Sequence, residues 1–420
     1  MNRGILLYID PGTGAMLFTT IIGIITTASF ALKKLFIKLK FLATSGGTKG
    51  AVDSGKLPIV IFSDSKRYWN VFKPICDELD KRGQEAYYWT ISPDDPALEE
   101  RYKNVKCSFI GEGNRGYAKL NMMNAYICLS TTPGLDVYQW RRSKNTDYYV
   151  HTSHAAGGYT MYRMFGLDFY DAVLLTGNYQ DDEVKALEKV RNLPAKETLA
   201  VGSTYLDLLY ARIREHGIRE KKKSDPVVLL APSWGPSSIL NKFGNEFLAA
   251  LKATGYEVIV RPHPQSSTSE KDLLVRLEKE FPESEKWHWN YDNDNFDVLM
   301  KSDIMITDFS GVIFEYTLVF DGPVIYTDTE MDLSPYDACW LDTVSWKNEM
   351  LPSIGRKISK NDISDIKQII DETLVDDSIH TGREKAREDA WMYRGEGATR
   401  TVDYLIAKLD ELKKGEKLDA

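Results

Sequence analysis

Cysteine is scarce in this chain. There are four in 420 residues (Cys76, Cys107, Cys128 and Cys339), far apart and without a CxxC pair. That spacing excludes a disulfide framework and a cysteine-based zinc site, and it fits buried thiols in a reducing compartment. Histidine is nearly as sparse, with six residues. No HExxH, GxGxxG, Walker loop or zinc-spaced Cys/His cluster occurs, so the sequence demands neither metal nor cofactor. Excess positive charge is missing too: 53 Lys and Arg against 61 Asp and Glu give a formal charge of −8. This argues against a nucleic-acid partner. Internal repeats and low-complexity tracts are also absent. What remains is an ordinary globular composition, 43% hydrophobic and 27% charged. At about 150 residues per domain the chain has room for two or three.

One long apolar run stands out. Residues 15–32 read AMLFTTIIGIITTASFAL, without a charge. As a helix they would span roughly 27 Å, close to the hydrocarbon thickness of a bilayer. Lys33, Lys34, Lys38 and Lys40 follow at once, and only Arg3 precedes. A cleaved signal peptide would carry its charges in front of the apolar run. This order instead predicts an uncleaved single-pass anchor with the body on the cytoplasmic side of the cell membrane. The alternating lysines suit the anionic inner leaflet. The expected organisation is therefore an anchor and basic segment over 1–43, a linker over 44–57, and two α/β domains over 58–222 and 223–420.

From Pro58 onward, strand and helix patterns alternate. Short apolar runs at 59–62, 85–89, 106–110, 125–129, 148–151 and 172–176 read as strands, with helices at 66–81 and 181–191. A second round begins after the charged stretch REKKKSD, with strands at 227–231 and 257–260 and helices at 246–253 and 271–280. This is the pattern of two Rossmann-like, doubly wound domains in series. The C-terminal helix, 399–412, is expected to pack back across them. Ligands in such sheets bind beyond the carboxyl ends of the strands.

The chemically informative residues sit at those ends. Residues 301–328 read as strand, polar turn, helix and strand, with the turn at Asp308-Phe309-Ser310-Gly311. A helix that starts this way offers free N–H groups at its positive end, which is a phosphate cradle. Gly311 permits close approach, Ser310 adds a donor, and Asp308 either caps the turn or touches the ligand. Asp303, at the start of the strand, is read as structural. His154 lies in HTSHAAGG, where small neighbours leave space beside the ring. It suits a general base and equally a capped structural histidine. His151 reads as a strand residue that helps fill the site. Arg261 and His263 lie two apart in RPHP, so an extended segment would aim both at one diphosphate. Ser233 and Trp234 end another strand and suit a phosphate or a base. Arg394 and Arg400 flank a glycine-rich turn and are candidates to reach phosphate at an interdomain cleft.

Together these motifs resemble the CDP-glycerol glycerophosphotransferase family, of the teichoic-acid primase and polymerase type. That family's Thr-x-His-Gly is similar to residues 152–155 and its Ala-Pro-Thr-Trp to 231–234. Its Arg-Pro-His-Pro stands at 261–264. Its Thr-Asp-Tyr-Ser-Ser and following Phe-Asp pair resemble 307–311 and Phe314-Glu315, and its arginine-bearing turn resembles 393–400. The resemblance implies a GT-B architecture and transfer of a polyol phosphate from a CDP-polyol, such as CDP-glycerol, to a hydroxyl of a lipid-linked glycan, with release of CMP. It implies His154 as general base, His263 as stabiliser of the diphosphate, and Ser310 with the Gly311 amide as phosphate binders. Gly311 replaces the family's second serine and Ala155 its glycine, which bears on donor and acceptor identity. The alternatives are a GT-B glycosyltransferase or epimerase acting on a UDP-sugar, and a degenerate GT-B scaffold at the membrane.

Overall fold

The computed structural model describes residues 55–217, 220–222, 224–292, 294–329, 331–342 and 345–419. The apolar run expected to be a membrane anchor lies outside them. Among the described residues, no helix is long and apolar enough to cross a membrane.

Among the described residues the strands form two parallel sheets. The first contains β1 (Leu57–Ser63), β2 (Ala86–Thr90), β3 (Val105–Phe109), β4 (Asn124–Ser130), β5 (Asn145–Thr152), β6 (Ala172–Leu175) and β7 (Glu197–Ala200), in the order β3-β2-β1-β4-β5-β6-β7. The second contains β8 (Val227–Leu230), β9 (Glu257–Val260), β10 (Trp287–Trp289), β11 (Ile304–Thr307), β12 (Val324–Thr327) and β13 (Gly355–Ile358), in the order β10-β9-β8-β11-β12-β13. Each sheet starts near its middle, winds outward, then returns to the other side of its first strand. The winding reverses between β1 and β4 in one sheet and between β8 and β11 in the other, and such reversals open a crevice at the strand ends.

The strands are continuous apolar runs because both sheet faces are covered. Ile59 and Ile61 enter one core, and Val60 and Phe62 the opposite one. Val227 and Leu229 likewise separate from Val228 and Leu230. Helices of eight residues or more are α1 (Trp69–Lys81), α2 (Gly113–Leu120), α3 (Tyr179–Arg191), α4 (Thr204–His216), α5 (Gly244–Ala253), α6 (Lys271–Glu280), α7 (Val312–Val319), α8 (Trp346–Ile354), α9 (Ile366–Leu374), α10 (Ser378–Ala390) and α11 (Gly397–Asp419).

One core joins the two halves: Leu206, Leu209 and Ile213 of α4 pack with Phe296, Ile313, Leu318 and Trp391. The C-terminal helix α11 buries Val402, Leu405 and Leu409 against Phe72 and Ile75 of α1. From the end of the chain it therefore reaches back to a helix of the first half. Its apolar stripe finds its partner surface there.

Asp303 is structural, as expected. Its buried carboxylate accepts the backbone N–H groups of Lys222 and Val227, both at 2.8 Å, and so fastens the entry to β8 beside β11. Asp303→Ala is expected to lower unfolding stability by about 3–6 kcal/mol, the scale of two lost charged hydrogen bonds. Urea denaturation reads this, and an unchanged midpoint would contradict it.

Candidate active site

The second half builds a helix start with no side-chain cap. Gly311 is the N-cap of α7, at φ −66°, and no side chain bonds to the first-turn amides. The glycine is not needed for backbone strain, and a Cβ added there would meet nothing within 4 Å. It leaves open space over the positive end of the helix. Ser310 lies beside it and is largely buried.

Asp308 is turned inward. It is 1% exposed, and its two oxygens accept the amides of Ser233 and Ile239, each at 2.9 Å. Burial raises its carboxyl pKa, opposed by those amides and by the Lys347 charge. Asp308 thus ties the exit of β8 to the exit of β11 rather than capping the turn in which it sits. Ser233 is held at that joint. Lys347, on α8, donates to the Phe309 carbonyl, and burial pulls its ammonium down to about 8.

His263 follows β9. The Gln265 amide donates to its Nδ1 at 3.1 Å. Nδ1 therefore carries the lone pair, and neutral His263 presents Nε2–H as a donor. Burial, then the Arg67 charge, hold the imidazole at about 4. Trp234 stands 6.5 Å away, ring to ring. Arg261 is engaged differently from the expected shared aim: its guanidinium donates to Asn290 Oδ1 and, at 2.8 Å, to the Asp292 carbonyl. It also lies near Glu315, whose carboxylate accepts from Asn295 at 2.6 Å and is raised by burial.

In the first half, His154 follows β5, with Nδ1 3.0 Å from Thr131 Oγ1. Tyr68 and Tyr162 wall the ring at centroid distances of 4.9 and 6.0 Å. Burial lowers its pKa to about 4, so the imidazole is neutral at physiological pH. His151 is fully buried, with Nε2 3.1 Å from the hydroxyl of Tyr162, and supports that wall.

The loop after His154 is clamped by α3. Tyr179 donates to the Ala156 carbonyl at 2.6 Å, Gln180 to the Gly157 carbonyl at 2.9 Å, and Glu183 accepts the Tyr159 amide at 2.6 Å. The expected open space is narrower than four small residues suggest. Ala156 is core, and a Cβ on Gly158 would lie 2.3 Å from the Glu183 carboxylate, leaving Gly157 with room around it.

Arg67, in the turn after β1, acts on Asp64 and Tyr68 in its own half and on His263 in the other. The loop after His154 also meets the second half directly: Ala156 shares a core with Ile313 and Phe314, and the Tyr179 ring stacks on Trp346 at 4.2 Å. Sequence reading missed Arg67, Asp64 and Lys347. Glu315 entered it only through the Phe314-Glu315 pair, and its signal is a carboxylate on the apolar helix VIFEYTLV.

Arg394 and Arg400 are not brought to the cradle. Arg394 stacks near Trp391 and lines a cavity with Leu318 and Phe320, at the C-terminal end of α7. That is the opposite end from Gly311, about 12 Å along the axis at 1.5 Å per residue. Arg400 bonds Glu396 at 2.8 Å and covers the Tyr393 ring. The reason is Asp207 of α4, which accepts Trp391 Nε1 and the amides of Gly395 and Gly397 and draws this turn to the first half. Among the described residues, no group of three His, Cys, Asp or Glu is placed to hold a metal ion.

The clamp gives a pH signature. Burial raises the Glu183 carboxyl from 4.5 to about 7, and the residue is 8% exposed. A raised folded pKa means that its favourable contribution is complete below pH 4.5 and is lost as pH rises through 7. Glu183→Gln should therefore gain stability on the native chain between pH 5 and 8, by up to about 3 kcal/mol. Parallel denaturant midpoints across that range would contradict it.

Comparison with known proteins follows the same geometry. Solved structures with this two-sheet, GT-B-like arrangement include the wall teichoic acid polymerase TagF, 15% identical, covering 85% of this chain and 90% of that one, TM-score 0.54. A putative UDP-N-acetylglucosamine 2-epimerase from Listeria monocytogenes is 12% identical, covering 85% and 98%, TM-score 0.55. A UDP-GlcNAc 2-epimerase from Methanocaldococcus jannaschii is 11% identical, covering 83% and 99%, TM-score 0.54. At these identities the likeness is one of fold. No curated protein matches the chain. The family model for CDP-glycerol:poly(glycerophosphate) glycerophosphotransferase matches residues 139–407, a span that holds both histidines, the RPHP segment and the helix start at Gly311, and the chain belongs to that family of transferases.

Proposed function

We propose that this protein moves a polyol phosphate, glycerol phosphate first among the candidates, from a CDP-activated donor to a hydroxyl of a lipid-linked cell-envelope glycopolymer, releasing CMP. The observation that carries the reading is a helix start without a side-chain cap at Gly311, in a chain that also desolvates His154 and His263 after β5 and β9. In this reading residues 58–222 hold the acceptor and 223–420 the donor. Residues 15–32 anchor the enzyme at the membrane, with its body on the cytoplasmic side.

With Nδ1–H directed at Thr131, His154 carries its lone pair on Nε2 and takes the proton of the acceptor hydroxyl. The oxygen attacks the phosphorus that bears the polyol. The bond from that phosphorus to the bridging oxygen breaks, and CMP leaves with the electron pair. The new product is a phosphodiester, and one proton is released. Charge growing on CMP meets the free α7 amides, the Ser310 hydroxyl and His263 Nε2–H, all positioned in advance. Arg261 steadies the segment that carries His263, and Asp308 with Ser233 fixes the turn.

The test is CMP release from CDP-glycerol with a lipid extract as acceptor. His154→Ala should lower it about 10²–10⁴-fold while the protein stays folded. Full activity in that variant would refute the base assignment. Because the base form prevails above its pKa of about 4, kcat/KM should be level between pH 6 and 8 and fall as pH drops toward 4. An acid limb centred near 6.5 would contradict this.

A further inference from the structure

The order of the second sheet gives the cradle two distinct sides. Strands β8 and β9 end on one side of the α7 start, and β12 and β13 on the other. A diphosphate laid across a helix N-terminus in an extended form sends its two substituents to opposite sides. The β9 side offers Trp234 beside His263, and Glu315 with Asn295, partners for a flat base and a vicinal diol. The β12 side holds a cavity of about 490 Å³ that the reaction scheme above leaves unused.

Its lining differs in chemistry. Thr329, Asn348 and Asp328 supply hydroxyl, amide and carboxylate groups, and Lys357 stands at its exposed wall. Lys347 is its charged centre, 8% exposed, with one described hydrogen bond, to the Phe309 carbonyl. An ammonium has three N–H donors. Two are therefore left beside the turn that leads into Gly311. Asp308, the nearby carboxylate, already accepts two amides. A buried cation with donors to spare, next to hydroxyl-binding groups, suits a phosphate ester of a small polyol.

We propose that this cavity binds the transferred half of the donor, with Lys347 on the phosphoryl group that carries the polyol and Asp328, Thr329 and Asn348 on its hydroxyls. This rests on the reading of the chain as a CDP-polyol transferase. It assigns nucleotide and polyol to opposite flanks of α7, and it makes the β12 flank the place where one polyol is told from another.

Isothermal titration of the full chain with CMP and with CDP-glycerol tests the assignment. Lys347→Met should bind CMP within about twofold of the native chain and CDP-glycerol roughly tenfold or more weakly, the scale of a lost charged hydrogen bond. Because Lys347 also bonds the Phe309 carbonyl, Lys357→Gln serves as a second variant, with CDP-glycerol weakened about threefold and CMP unchanged. Equal weakening of both ligands by Lys347→Met, or no change in either variant, would overturn the proposal and leave Lys347 as a clamp on the turn. A native chain that binds neither CMP nor CDP-glycerol would refute the transferase reading itself, and this inference with it. That outcome is seen without any variant.

Discussion

A single buried carboxylate, Asp308, decides what the start of α7 can offer. Asp308 accepts one amide from Ser233 and one from Ile239, at the exit of a neighbouring strand. It is therefore turned away from the first-turn amides of α7, which no side chain caps. Had it capped its own helix, the positive end would be neutralised. Lys347 holds the Phe309 carbonyl from the other side. The turn is set by Asp308 and Lys347, and no side chain caps the first turn of α7. A cradle fixed in this way needs little reorganisation when charge develops on a leaving phosphate.

Each half contributes a neutral imidazole. Burial keeps His154 and His263 uncharged at physiological pH, with values of about 4. One ring is placed to accept a proton, and the other, through its bond from the Gln265 amide, to donate one. The Arg67 charge, from the first half, acts with burial on His263, and the shared core around Leu206, Phe296 and Trp391 holds the halves against each other. In the proposed reaction the two sheets divide the labour, with acceptor deprotonation assigned to the first and leaving-group stabilisation to the second.

Much of this was legible in the chain. Central strands such as β1 and β8 read as unbroken apolar runs because parallel strands are covered on both faces, and the turns after β9 and β11 carried local signatures. The edge strands β7 and β13 escaped: ETLA alternates with solvent, and GRKI has a single buried aliphatic residue, Ile358. The site residues that sequence reading missed act through space. Lys347 lies far along the chain from the turn it holds, and Arg67 still further from His263. Arg394 and Arg400 carry the local signature of a phosphate loop, while the contact that places their turn, Asp207 of α4, lies far away in the chain. Arg261 and His263 share a spacing, yet Asn290 and Asp292 draw the guanidinium aside.

The most direct test of the central claim, that the bare start of α7 holds the donor diphosphate, is the thermal midpoint of the full chain with equal concentrations of cytidine, CMP and CDP. A ligand that binds the native state alone raises the midpoint according to its affinity. If the helix start is a phosphate cradle, the midpoint rises with each added phosphate, least with cytidine and most with CDP. Equal shifts for all three, or none with CDP, would contradict it.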